Sequence, residues 1–239
     1  DDVSTWPGGV CAAVESLADT VQGNPTHYDE LDLDPGAVKA VGELLADHPI
    51  RAYHCTRLLE HEEHDIRRAG LSPLSRELID RRIRAACDHD AIAPAERDRL
   101  LSGHMFATEE HHTRGRRLGN TCFAATLEPF DTHFRGINPL LSNWGGEALY
   151  YSAGVAEDER VRLSRIGTPS IVVASLPIKQ PEPMKTFFAL PVYFTATWLG
   201  LSDVGCDLIY RAPVPGPDVL GIWQPGEPEY DGVAQLVRE

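Results

Sequence analysis

The chain has none of the segments that would place it in a bilayer or on a familiar nucleotide loop. No run of eighteen apolar residues occurs in its 239 residues, so no stretch reads as a membrane-spanning helix. The opening Asp1-Asp2 lacks the basic region and apolar core of a secretion signal, although trimming would hide one. Its five cysteines, Cys11, Cys55, Cys87, Cys122 and Cys206, are scattered, odd in number and without C-x-x-C spacing. That argues against a disulfide or zinc framework and for a reduced, cytoplasmic setting. There is no Walker loop, no G-x-G-x-x-G turn and no G-x-S-x-G elbow, which leaves P-loop, Rossmann and serine-hydrolase chemistry unsupported. No repeat or low-complexity tract appears.

A hydrophobic fraction of 42% is enough for a sizeable core in one large domain or a domain with an appended piece. The net charge is −14, and such a surface repels nucleic acid at long range without excluding a local basic groove. Arginines cluster at Arg67-Arg68, Arg81-Arg82-Arg84 and Arg114-Arg116-Arg117. They read as solvated helix faces, with a phosphate patch as the alternative.

Hydrophobic spacing predicts helices over 9–22 and 36–47, separated by Gly23-Asn24-Pro25 and Asp32-Leu33-Asp34-Pro35. This piece, 1–49, reads as a helical N-terminal extension without chemistry of its own. Ser72-Pro73 offers a cap and first position for a further helix to about Cys87, and Pro94 opens another toward Arg117. Strands are expected at 119–126, 147–152, 169–178, 190–197, 206–211 and 219–223. Helices first and strands later argue for an α+β fold, with residues 50–239 as one domain.

The stretch Tyr53 to Leu71, YHCTRLLEHEEHDIRRAGL, organises this reading. A short apolar run ends in His54-Cys55-Thr56. An amphipathic helix with Leu58, Leu59 and Ile66 inward follows, and Gly70 stops it. The stretch resembles the opening of ADP-ribosyltransferase-like domains, which begin with His-x-Thr at a strand end before a helix closing in I-x-x-x-G-L. The resemblance covers about twenty residues. It implies a β-sheet core of that type and NAD as substrate, with His54 and Thr56 on the ribose and Arg57 on a phosphate. Cleaving the nicotinamide–ribose bond passes through an oxocarbenium-like state, so a carboxylate near the developing charge is required.

Leu118-Gly119-Asn120-Thr121-Cys122-Phe123-Ala124 is similar to a second element of these families, G-x-Y-F-A. Cys122 stands where the tyrosine is usual, and Phe123 supplies the aromatic. Asn143-Trp144-Gly145-Gly146-Glu147 is the most unusual composition, since two glycines let a backbone approach a ligand closely. Glu147, expected to head a strand, is the favoured catalytic acid, and Asp207 is the second candidate. Trp144 and Tyr151 are counted with Phe123 as cofactor contacts. The resemblance implies transfer of ADP-ribose to a macromolecular acceptor, or NAD hydrolysis, and toxin or defence roles are common among relatives. Two other readings stand beside it. One is a metal-dependent hydrolase on His54, His61 and His64 with His104, His111 and His112, although His61 and His64 are spaced i, i+3 rather than as H-E-x-x-H. The other is a catalytically inactive binding module. No residue names the acceptor.

Overall fold

The computed structural model describes residues 3–107, 117–126, 138–150, 157–178, 185–186, 190–201 and 206–236. It is an α+β fold built on an antiparallel sheet. The strands are β1 (Pro49–Leu58), β2 (Thr121–Ala124), β3 (Thr168–Pro177), β4 (Lys185–Thr186), β5 (Asp207–Tyr210) and β6 (Val219–Trp223). They lie in the order β4-β5-β2-β1-β3-β6, so the first strand made sits in the middle.

β1 and β3 pair along their whole length, from Pro49 opposite Pro177 to Leu58 opposite Thr168. Alternation sends successive side chains to opposite faces. On one face Ile50, Ala52 and Leu58 join Val172, Ala174, Leu176, Phe123, Leu208, Tyr210 and Ile222. Helices α1 (Gly8–Ala18), α2 (Pro35–Leu45) and α9 (Leu190–Trp198) add Val10, Val14, Leu17, Val41, Leu45, Tyr193 and Ala196 to the same cluster. The N-terminal helices therefore share one core with the sheet. On the other face Tyr53, Cys55, Ile171 and Val173 meet Tyr230 and Val233 of α10 (Pro228–Leu236).

A further apolar cluster gathers α4 (Arg76–Asp88), α5 (Pro94–Gly103), α7 (Glu147–Tyr150) and α8 (Glu157–Leu163) around Ile79, Ile83, Leu100, Trp144, Leu149 and Leu163. Between the clusters runs α3 (Glu60–Ala69), which places Ile66 against the sheet core. Gly70 ends α3 at φ 87°, and a Cβ there would stand 1.8 Å from the Val214 carbonyl. Leu71 and Val214 exchange two backbone hydrogen bonds of 2.8 Å beside it. Glycine is thus required twice over, for its dihedral and for the close approach.

Several expectations are corrected. Residues 190–197 form helix, not strand. Their β-branched and aromatic content imitates a strand, but the segment is buried against α1 and α2 and is apolar on most sides. Residues 147–150 are helical for a related reason: a four-residue apolar run carries no usable period. β1 does not stop at Thr56 but runs on to Leu58, so His54 lies inside the strand, and Leu58 and Leu59 precede α3. The helix expected from Ser72 starts later. Ser75 is its cap, accepting from the Leu78 amide at 3.0 Å, while Leu74 pairs with Asn120 in extended form. The helix opened by Pro94 ends at Gly103.

Candidate functional site

The two halves of the sheet meet at a narrow seam. Among the described residues β1 and β2 share one ladder pair, Tyr53 opposite Ala124. Beyond that pair no ladder partner joins the two strands among the described residues, and the rings of His54 and Phe123 meet edge-on at 5.7 Å. His54 Nδ1 lies 2.8 Å from the Cys122 carbonyl, tying β1 to β2 through a side chain.

That bond fixes the imidazole. A carbonyl only accepts, so Nδ1 carries the hydrogen, and in the neutral ring Nε2 is an acceptor. Burial lowers the basicity of His54, the Cys122 carbonyl partly restores it, and the Arg82 charge lowers it again. The net direction is down, which keeps the ring neutral near pH 7. Thr56 and Thr121 lie on the same face as His54, two residues along each strand from the His54–Phe123 contact. Thr56 is buried, and its hydroxyl makes a long 3.4 Å contact to the Arg57 carbonyl.

Behind the seam stands a buried ionic group. The Glu62 carboxylate accepts from the Leu59 amide at 2.9 Å, from the Trp144 indole at 3.0 Å and from Arg82 Nε. Arg82 lies over the Trp144 ring at 5.4 Å and reaches the Arg57 carbonyl. Burial alone would raise the Glu62 carboxyl. The Arg82 charge and the three hydrogen bonds more than reverse this and hold it below its ordinary range.

The residues singled out in the sequence divide between the two faces. His54, Thr56 and Phe123 are brought together. Phe123, however, is buried, its ring meeting those of His54 and Tyr210 at 5.7 and 6.3 Å, so it offers no open ring. Trp144 is not a ligand platform either. It is 0% exposed, its indole N–H is spent on Glu62, and it packs in the helical cluster. Arg57 faces away from His54 and donates to three carbonyls, those of Ile166, Leu141 and Gly167, at 2.8, 3.0 and 2.6 Å. Its guanidinium ties the segment before β3 to α6 (Asn138–Ser142), a structural use of the group expected to meet a phosphate.

Asp207 also lies across the sheet from His54, since it pairs with Ala124 while its neighbours Leu208 and Tyr210 face the core. Burial raises its carboxyl. Glu147 opens α7 instead of heading a strand, after Gly145 and Gly146 at φ 81° and 58°. Its side chain, and Tyr151 altogether, lie outside the described residues. The histidines are dispersed. His61 stacks on His89 at 4.1 Å, His64 is exposed, and buried His104 lies 3.0 Å from Asp80. His111 and His112 lie outside the described residues. Among those described, no three His, Cys, Asp or Glu side chains converge.

Thr121, Glu62 and Arg82 were not singled out as site residues in the sequence. Glu62 had a local signal: as the third residue of α3 it caps the Leu59 amide. Arg82 was indistinguishable from its neighbours Arg81 and Arg84, and Thr121 passed as an ordinary strand residue. Comparison of the chain with family models, curated proteins and solved structures gives no match.

Proposed function

We propose that the chain is an NAD-dependent enzyme that cleaves the nicotinamide–ribose bond and passes ADP-ribose to a macromolecular acceptor, with water as the variant acceptor. The observation that supports this best is His54. Its ring is pinned at the seam with Nε2 left as an acceptor, and Thr56 and Thr121 share its face of the sheet. Such a set suits a ribose, whose hydroxyls each donate and accept. In the reaction the C–N bond breaks, nicotinamide leaves with the electron pair, and an acceptor oxygen or nitrogen bonds to the ribose carbon and releases its proton. The Glu147 carboxylate stabilises the cationic ribose in between. The twenty-residue resemblance to ADP-ribosyltransferase-like domains points the same way, as does the α+β sheet on which His54 and Thr56 are carried.

Two experiments test the reading. Millimolar NAD is expected to raise the melting temperature by linkage, and His54→Ala to abolish the rise. Nicotinamide release, followed by mass spectrometry of labelled acceptor, is expected from the wild-type chain. An unchanged melting curve in NAD would remove the proposal.

One observation favours a second reading. Phe123 and Trp144 are both buried, so neither is placed to stack on nicotinamide. A module that binds the nucleotide without turning it over fits that arrangement. A melting shift in NAD with no nicotinamide release would select it.

A further inference from the structure

Thr121 is at odds with its surroundings. It opens β2, pairs with Tyr210 and is 6% exposed, yet its hydroxyl has no hydrogen-bond partner among the described residues. A buried polar atom without a partner is rare, because its lost water contacts are not replaced. Valine has nearly the same shape, favours a strand and would carry no such cost. Threonine's restricted χ1 gives the hydroxyl few directions in which to look for a partner.

The neighbours on this face say what kind of partner is missing. Thr56 stands two residues along β1 from His54, as Thr121 stands two residues along β2 from Phe123, and among the described residues the Thr56 hydroxyl makes just the long contact to the Arg57 carbonyl. His54 presents the Nε2 lone pair two residues along β1. One acceptor-only nitrogen and two hydroxyls, which both give and accept, match a group that can donate as well as accept. A phosphate cannot donate to His54 Nε2, whereas a sugar hydroxyl can.

We infer that Thr121 contacts the ligand directly, its hydroxyl hydrogen-bonding a ribose hydroxyl that also meets His54 and Thr56. This rests on the nucleotide-binding reading above, in which the ribose already lies at His54 and Thr56, and adds Thr121 to its contacts.

The test is calorimetric titration and thermal melting of the wild type, Thr121→Val and Thr121→Ser. The ligands are NAD and its analogue lacking the 2′-hydroxyl of the nicotinamide ribose. Thr121→Val is expected to melt at or above the wild-type temperature without ligand, since it removes an unpartnered hydroxyl. It is expected to bind NAD roughly tenfold more weakly, the scale of one lost hydrogen bond. Thr121→Ser should restore the affinity, and the deoxy analogue should bind wild type and Thr121→Val alike. Equal NAD affinity in wild type and Thr121→Val would overturn the assignment while leaving the nucleotide reading intact. An equal loss on the deoxy analogue would overturn the contact with that hydroxyl. A wild-type chain that binds neither ligand would remove the nucleotide reading and, with it, the role given to Thr121.

Discussion

The indole N–H of Trp144 donates to the carboxylate of Glu62 at 3.0 Å, joining residues 82 positions apart in the chain. The bond links the Trp-Gly-Gly turn to the first turn of α3, and through Arg82 it reaches the neighbourhood of His54. Glu62→Gln leaves Arg82 facing a neutral partner in a largely buried site. Removing one member of such a pair typically costs about 3–5 kcal/mol. Arg82 keeps a quarter of its side chain in solvent, so the lower end, about 3 kcal/mol, is expected here. Chemical denaturation of Glu62→Gln, Trp144→Phe and the double variant measures the coupling. Additive losses would show that the two side chains do not act together.

Acid is expected to weaken the fold before the carboxylates titrate. Burial lowers the basicity of His54, His61 and His104, and their neighbours do not reverse it. His104 shows how: its Nδ1 accepts from the Phe106 amide at 3.2 Å, so its other nitrogen carries the hydrogen toward Asp80 and the ring is neutral. In the unfolded chain these rings take up protons near pH ~6.5. Folded, they do so at lower pH, so in between the unfolded chain binds more protons and stability rises with pH. The melting temperature should therefore fall as pH drops from 7.5 toward 5, and His61→Phe should flatten the fall. A melting temperature constant over that range would contradict the assignment.

Arg57→Lys tests the structural role of that arginine. An ammonium cannot reach three carbonyls in the planar fork that serves Ile166, Leu141 and Gly167. A loss of roughly 2–3 kcal/mol in unfolding free energy is expected, the scale of one or two charge-assisted hydrogen bonds. NAD affinity, measured where the variant is folded, should stay within about twofold. A large affinity loss with unchanged stability would return Arg57 to the ligand.

Glu147→Gln addresses the chemical step. A carboxylate acting on the cationic ribose matters chiefly in the transition state, so turnover should fall by roughly 10²–10³-fold with NAD affinity little changed. Asp207→Asn is expected to be mild, because Asp207 lies on the far face of the sheet from His54. Near-normal turnover in Glu147→Gln with a dead Asp207→Asn would put the acid on β5.

What the sequence disclosed depended on how locally each feature is determined. The stop at Gly70, the helices over 8–18 and 35–45 and the strands at 168–177 and 219–223 follow from nearby residues and were legible. The segment 190–198 was not. Its Val-Tyr-Phe-Thr content suits a strand, and only burial against α1 and α2, distant in the chain, makes it helical. His54 and Thr56 share a face because they sit two apart on one strand, which the spacing alone discloses. The three carbonyls that Arg57 meets are not legible, because they come from α6 and the turn before β3, on the face opposite His54. Nor is the bond from Trp144 to Glu62, a residue of a helix that no local pattern connects to it. The unpartnered hydroxyl of Thr121 exists only once β2 is seated beside β1 and β5.

The placement of β1 at the centre of the sheet has a consequence during synthesis. Its last residue is Leu58, while the strand that zips along its whole length begins at Thr168. At ribosomal speeds, that edge waits roughly 5–20 s for its partner. An open strand edge templates pairing with other chains. Before that partner arrives, the one β1–β2 pair among the described residues closes little of the other edge. The strand bearing His54 is thus an open adhesive edge of the nascent chain, and the yield of folded protein in a cell is expected to depend on how well it is shielded until β3 emerges.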